Sequence, residues 1–121
     1  MNTTASAARV EITDGIAHLI LDDPTQSANT MNNIFQSGFA AAVDQLAGSL
    51  AEVRGVVVRS AKKTFFAGGD LAGLVGVGPN GAAALFAEVE GIKASLRKLE
   101  TLGVPVVAAI NGAALGGGLE I

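Results

Sequence analysis

The chain contains no cysteine, tryptophan or tyrosine, and only three prolines, among its 121 residues. Without cysteine it can form no disulfide bond, thiolate nucleophile or thiolate metal site, which is compatible with the reducing cytoplasm. Aromatic residues make up 4% of the sequence. Because sites for single-stranded nucleic acid rely on stacking aromatics, that class of function is disfavoured.

Positive charge is also scarce, since 8 lysines and arginines stand against 11 acidic residues and leave a net charge of -3. The chain therefore has no general attraction for nucleic-acid phosphates or anionic membranes. No apolar run reaches the about 18 residues that a membrane span needs. The start, MNTTASAARVE, lacks the basic and apolar parts of a secretory signal. We expect a cytoplasmic protein with no nucleic-acid partner and no membrane span.

Hydrophobic residues form 50% of the sequence, enough for the core of one small domain. Residues 1–8, rich in Ala, Ser and Thr, are expected to be flexible, and residues 9–121 to fold. Alternating runs, helical spacing and short β-branched runs together predict an α/β domain. The predicted strands are 9–13, 16–22, 55–60 and 104–110; the predicted helices are 31 to about 54, 82–102, and one that begins near 116–119.

Two glycine-rich loops follow predicted buried strands. The first glycine loop, FFAGGDL, covers residues 65–71, and the second glycine loop, LGGGLE, covers residues 115–120. Ligands often bind at the carboxyl ends of strands, and glycine lets backbone atoms approach them closely. Two N–H groups aimed at one point from these loops would form an oxyanion hole, with Glu120 one helical turn after Gly117. Glycines that serve only tight turns are the alternative interpretation.

Other patterns are weaker. GVGPNG at residues 76–81 has the letters GxGxxG, but no clear strand precedes it, so a nucleotide site is disfavoured. His18 has no acidic partner at metal-ligand spacing, and we expect no metal site. Asp22 and Asp23 are neighbours in a strand-like run, where side chains point to opposite faces, so a turn-forming role is favoured over a carboxylate pair.

The ordered set of FFAGGDL, a helix and PVVAAINGAALGGGLE resembles the enoyl-CoA hydratase/isomerase (crotonase) family. The resemblance covers the chain from about residue 10 onward, and the early DDPTQSANTMN stretch is similar to the amino-terminal hydratase region of multifunctional fatty-oxidation α subunits. It implies a crotonase-like spiral of repeated strand-strand-helix units. Residues 9–121 would form its amino-terminal part, so the fold would be incomplete at the carboxyl terminus.

The resemblance also implies roles for individual residues. Gly69 and Gly117 sit where the family places the two N–H donors that hold the thioester oxygen of an acyl-CoA. Glu120 matches the first of two glutamates that position and deprotonate a water molecule. Coenzyme A is part of the substrate, so no separate cofactor is implied. The expected substrate-binding residues are Ala67, Gly68, Asp70 and Gly116.

The implied activity is hydration of 2-trans-enoyl-CoA in fatty-acid β-oxidation, by an enzyme that is an oligomer when complete and has a thiolase subunit as one implied partner. Hydratases of the family use a second glutamate beyond the first, whereas this chain ends at Ile121. We therefore interpret the chain as the amino-terminal piece of a longer hydratase. An enoyl-CoA isomerase and a catalytically incomplete acyl-CoA-binding fragment are the alternatives.

Overall fold

The computed structural model describes residues 6–121. Its strands are β1 Ala8–Thr13, β2 Ile16–Leu21, β3 Gly55–Ser60 and β4 Val106–Ala109. Its helices are α1 Asn33–Gly48, α2 Leu71–Val75, α3 Ala82–Glu100 and α4 Gly117–Glu120, with 3-10 turns at Leu50–Glu52 and Pro79–Gly81. The strands form one sheet in chain order, in which β1 pairs antiparallel with β2 and the later pairs are parallel. The predicted α/β class is confirmed.

The β1–β2 hairpin forms where the sequence predicts it. Asp14 and Gly15 both have positive φ, 51° and 82°, as a tight turn between twisted antiparallel strands requires. Strand β1 begins at Ala8, where the chain already packs into the core, since Ala7 is 0% and Ala8 6% exposed. Of the segment expected to be flexible, residues 1–5 lie outside the described part of the chain.

Helix α1 is shorter than predicted at both ends. It begins at Asn33 because Asn32 is its N-cap, with Oδ1 accepting a hydrogen bond from the Phe35 N–H at 2.8 Å. It ends at Gly48, after which the chain forms the 3-10 turn instead of continuing to residue 54. The buried face that packs on the sheet consists of Phe35, Gly38, Phe39, Ala42, Val43 and Leu46.

Phenylalanine side chains join α1 to the start of the first glycine loop. Phe35 stacks on Phe39 with ring centroids 5.3 Å apart and meets Phe66 edge-on at 4.9 Å. Phe65 and Phe66 are 1% and 0% exposed. Aromatic pairs contribute about 0.5–1.5 kcal/mol beyond the area they bury. The loop therefore begins inside the hydrophobic core, which fixes its position.

The prediction that β4 is a buried strand is wrong for this chain. Val107 is 60% exposed, because within residues 6–121 no helix packs closely over β4. Helix α3 ends at Glu100 and has only Leu99 buried. The glycine-rich residues 71–81 contain α2 and a 3-10 turn. Strands β1–β3 and α1 thus form the well-packed part of the molecule.

A buried carboxylate organises the connection from β2 to α1. Asp23 is 0% exposed. Its Oδ1 accepts hydrogen bonds from the N–H and hydroxyl of Thr25, and its Oδ2 accepts from the side-chain amides of Asn32 and Gln26. Burial raises the pKa of this carboxyl, but the hydrogen bonds from Thr25, Asn32 and Gln26 outweigh it and hold the pKa below its usual value. The turn-forming interpretation of Asp23 agrees with these contacts.

This carboxylate predicts a specific loss of stability in acid. Because its pKa is lower in the folded state, Asp23 stabilises the fold above the unfolded-state pKa of about 3.9, and this stabilisation is lost as the pH falls through the folded value. We expect Asp23→Asn to lower the free energy of unfolding by about 1–3 kcal/mol at pH 7 and to weaken its dependence on pH below about 4. Urea unfolding at pH 7, 5, 4 and 3 measures both effects.

The matched control is Glu52→Gln, which neutralises an exposed carboxylate in the 3-10 turn that makes no ion pair within residues 6–121. Glu52→Gln should keep the acid dependence of the unmodified chain. An Asp23→Asn variant with the same acid dependence as this control would contradict the role assigned to Asp23.

Candidate active site

The first glycine loop lies between two other backbone segments and is hydrogen-bonded to both. On one side, the Ala67 N–H donates to the Asn29 carbonyl at 2.8 Å, and the Met31 N–H donates to the Gly68 carbonyl at 2.9 Å. An isolated parallel bridge pairs Met31 with Gly69. The segment between β2 and α1 therefore sets the position of this loop along its whole turn.

On the other side, the first glycine loop pairs with the chain that leads from β4 into the second glycine loop. The N–H groups of Phe65 and Phe66 donate to the Ala113 carbonyl at 3.1 and 3.0 Å, and the Leu115 N–H donates to the Phe66 carbonyl at 3.0 Å. A parallel bridge pairs Phe66 with Ala114. The structure thus brings the two glycine loops together, as the sequence predicts.

Positive φ angles at two glycines shape the contact between the loops. Gly68 has φ 106° and Gly116 has φ 53°, conformations that favour glycine. A Cβ atom at Gly116 would lie 3.5 Å from the Gly68 Cα and 3.9 Å from the Gly69 nitrogen. A Cβ atom would therefore fit at Gly116 in ordinary van der Waals contact with the first glycine loop, and the positive φ, not a lack of space, is what favours glycine there.

A different constraint, the lack of space for a side chain, requires glycine at the third glycine of LGGGLE, Gly118. A Cβ atom at Gly118 would overlap the Cβ and ring atoms of buried Phe66, so no side chain fits there. Gly117 is different again, because an added Cβ would meet only the flexible end of Met31, 2.8 Å from its Cε. Packing alone therefore explains Gly118 but not Gly117.

The N–H groups of Gly69 and Gly117 remain free of protein acceptors. Within residues 6–121, neither group donates a hydrogen bond, although the N–H groups of Gly118 and Leu119 do. Gly69 is exposed and Gly117 is half-buried at the first residue of α4. Within the described part of the chain, each of these two donors is therefore free to bind a ligand atom.

The remaining expected binding residues differ in what they offer. Ala67 is exposed, and its carbonyl accepts no hydrogen bond from residues 6–121. The carbonyls of Gly68 and Gly116 are occupied by the N–H groups of Met31 and Leu119. Asp70 caps α2, where its Oδ1 accepts from the Gly73 N–H at 3.2 Å. Of these backbone carbonyls, that of Ala67 is thus the free acceptor.

A cavity of about 330 Å³ opens beside the first glycine loop. Helices α1, α2 and α3 contribute to its wall, which is mainly apolar. The volume falls at the lower end of the range for small-molecule sites. Its lining includes Met31, Gly69, Asp70, Leu74, Val89 and Ile92.

Glu120 does not line that cavity. It is exposed and lines a larger cavity of about 820 Å³ between α3, β4 and the end of the chain, together with charged groups of α3 such as Glu90 and Arg97. The carboxylate follows Gly117 by one helical turn, as predicted, but α4 has only four residues. The structure therefore places the free N–H of Gly69 and the side chain of Glu120 on two different cavities.

The less specific sequence patterns lie outside the two glycine loops. GVGPNG follows α2 instead of a strand and leads into α3. His18 accepts a hydrogen bond at Nδ1 from Arg59 at 3.3 Å, across neighbouring strands. Lys62 pairs with Asp22 at 3.0 Å, and with Arg9 it holds the pKa of that carboxyl below its usual value.

Sequence reasoning missed Asn29, the other fully buried polar residue besides Asp23 in the described part of the chain. Its backbone and side chain both contact the first glycine loop. The only signal was a polar segment, TQSANT, in which one asparagine cannot be distinguished from its neighbours by pattern. Its role depends on contacts with residues far along the chain.

Two further findings concern the described residues as a whole. Across residues 6–121, no helix combines the length and hydrophobicity that crossing a membrane requires. Over the same range, no three His, Cys, Asp or Glu side chains cluster closely enough to hold a metal ion.

Comparison with known proteins gives consistent results. Residues 11–121 match the family model of enoyl-CoA hydratase/isomerase. The chain is 36% identical over its full length to the fatty acid oxidation complex subunit alpha of Shewanella sp. (strain ANA-3), of which it covers 16%. The same subunit of Idiomarina loihiensis is 39% identical over 89% of the chain, which covers 15% of that protein.

Among solved structures, an enoyl-CoA hydratase from Bacillus anthracis superposes with a TM-score of 0.80 and 28% identity, over 95% of this chain and 43% of that one. The chain thus spans less than half of the length of each of these relatives. The family match, the identities and the superposition agree with one another. The chain therefore belongs to the enoyl-CoA hydratase/isomerase family and has the crotonase fold.

Proposed function

We propose that the complete protein adds water to 2-trans-enoyl-CoA thioesters in fatty-acid β-oxidation. The observation that carries this proposal is the pair of N–H groups of Gly69 and Gly117, which have no acceptor in residues 6–121 and lie on loops in direct contact. Donors fixed in this way are suited to a thioester oxygen on which negative charge develops.

In the proposed reaction, both N–H groups donate to the thioester oxygen. The oxygen of water bonds to the β-carbon, and the π electrons of the C=C bond move into an enolate whose negative charge lies on the thioester oxygen. The donors stabilise the negatively charged enolate oxygen more strongly than they stabilise the neutral carbonyl oxygen of the substrate. This difference lowers the activation barrier. The α-carbon then takes up the proton that the water lost, and the product is a 3-hydroxyacyl-CoA.

Glu120 is the proposed acid–base residue, and it accepts the proton that the water loses. Its carboxylate lines the larger cavity, whereas Gly69 lines the smaller one. The proposed reaction therefore requires the substrate to reach from Gly69 toward Glu120, with the water on the Glu120 side. General bases of this kind contribute about 10²–10⁴-fold to a rate.

We propose that the protein binds its substrate through the coenzyme A part of the thioester. The free carbonyl of Ala67 is available to the amino group of the adenine ring, and Gly68 and Gly116 shape the loops around the thioester. Asp70 closes the turn as the cap of α2. No separate cofactor is needed for this chemistry.

Association with other subunits is the second part of the proposal. The relatives from Shewanella and Idiomarina are named as alpha subunits of a fatty acid oxidation complex. We extend this to the complete protein as an oligomer with a thiolase subunit. Co-elution with thiolase activity in size-exclusion chromatography tests that partner.

The reaction itself is tested with crotonyl-CoA, whose conjugated absorbance disappears when water adds to the double bond. We expect hydration to 3-hydroxybutyryl-CoA. Interconversion of 3-enoyl and 2-enoyl thioesters without hydration would favour an isomerase instead. Binding of the thioester without turnover would favour a binding module, and either result would contradict the proposed hydratase.

The oxyanion role is tested by a matched pair of variants at Gly117. Gly117→Pro removes the N–H at the first residue of α4, a position that proline tolerates in helices. Gly117→Ala adds a Cβ against the same flexible end of Met31 but keeps the N–H. We expect kcat to fall about 10²–10³-fold in Gly117→Pro and much less in Gly117→Ala. Equal rates in the two variants would exclude this N–H as a donor.

A further inference from the structure

Asn29 is a buried amide with every polar atom engaged. It is 1% exposed. Its Nδ2 lies 3.0 Å from the Ser60 Oγ and 3.2 Å from the carbonyls of Leu21 and Phe65. Its Oδ1 accepts from the Asp23 N–H at 3.0 Å. A side-chain amide has two hydrogens to donate, so these three acceptors share them and leave no donor unused.

The three acceptors of the Asn29 side chain lie on three separate segments of the chain. Leu21 ends β2, Ser60 ends β3, and Phe65 begins the first glycine loop. The Asn29 carbonyl in addition accepts the N–H of Ala67. One residue therefore fixes the loop at two points, both within four residues of Gly69.

The side chain of Asn29 has no substitute in the described part of the chain. The Leu21 carbonyl also accepts the Ala61 N–H, but the carbonyl of Phe65 accepts a hydrogen bond only from Asn29 within residues 6–121. An unpaired buried carbonyl is costly, so the loop must move when this amide is lost. The first part of the loop that can move toward solvent is the exposed turn at Ala67 and Gly69.

We propose that Asn29 is a positioning residue of the oxyanion hole, which acts through the first glycine loop to aim the N–H of Gly69; this inference rests on the function proposed above. Asn29 itself is buried and acts without touching the substrate. Donors of an oxyanion hole work only when they lie within hydrogen-bonding distance of the developing charge, and a displacement of about 1 Å can cost about 10²-fold in rate. The amide of Asn29 is thus a requirement of turnover and not only of folding.

The experiment compares Asn29→Ala with Asn32→Ala. Asn32 belongs to the same polar connection, since it caps α1 and donates to Asp23, but it makes no hydrogen bond to residues 65–71. For each variant, kcat and KM are measured with crotonyl-CoA, together with the ¹³C shift of the thioester carbonyl of a bound, labelled acyl-CoA. Thermal unfolding reports the stability of each variant.

We expect Asn29→Ala to lower kcat about 10–100-fold with KM changed less than about 3-fold, because the lost interaction is made mainly in the transition state. The bound carbonyl should also shift back toward its position in free acyl-CoA. Asn32→Ala should lower stability and leave kcat within about 3-fold of the unmodified protein. If Asn29→Ala does not fold, Asn29→Asp is the deciding variant, since it keeps the size of the side chain and an acceptor for the Asp23 N–H.

The outcomes separate the positioning role from the function on which it rests. Equal loss of kcat in the Asn29 and Asn32 variants, or an unchanged carbonyl shift in Asn29→Ala, would overturn the positioning role while the hydratase remains. An unmodified protein that neither hydrates crotonyl-CoA nor shifts the bound carbonyl would overturn both. A selective fall in kcat with a matching carbonyl shift supports both.

Discussion

The register of three backbone segments is the constraint on which this site depends. Residues 29–31, the first glycine loop and residues 113–115 are held side by side by main-chain hydrogen bonds, with Phe66 anchored in the core. These bonds use the carbonyl of Gly68 and the N–H of Leu115, whereas the N–H groups of Gly69 and Gly117 have no acceptor within residues 6–121. The chemistry proposed here requires both donors at once, so a shift of any one segment would remove it.

The three consecutive glycines illustrate how packing and function divide the same short sequence. Gly116 needs positive φ beside the first loop, and Gly118 has no room for a side chain against Phe66. Gly117 has neither restriction to the same degree, since only the movable end of Met31 lies near its missing Cβ. An N–H offered to a ligand gives Gly117 a role that packing does not supply.

Local signals in the sequence predicted much of the fold. The hairpin at Asp14, the strand β3 and the position of both glycine loops follow from turn residues and periodicity, which act over a few neighbours. The exposure of β4 and the contacts of Asn29 did not follow, because they depend on residues distant in the chain. The separation of Glu120 from the Gly69 cavity is of the same kind, since helical spacing fixes a face of α4 but not what lies opposite it.

The most direct measurement is a titration of the ¹⁵N-labelled protein with a non-reactive acyl-CoA, followed through the backbone amide signals of Gly69 and Gly117. If both N–H groups hold one thioester oxygen, the two proton signals move downfield together and saturate with the same Kd. A shift at only one of them, or at neither while acyl-CoA binds elsewhere, would contradict the shared oxyanion hole.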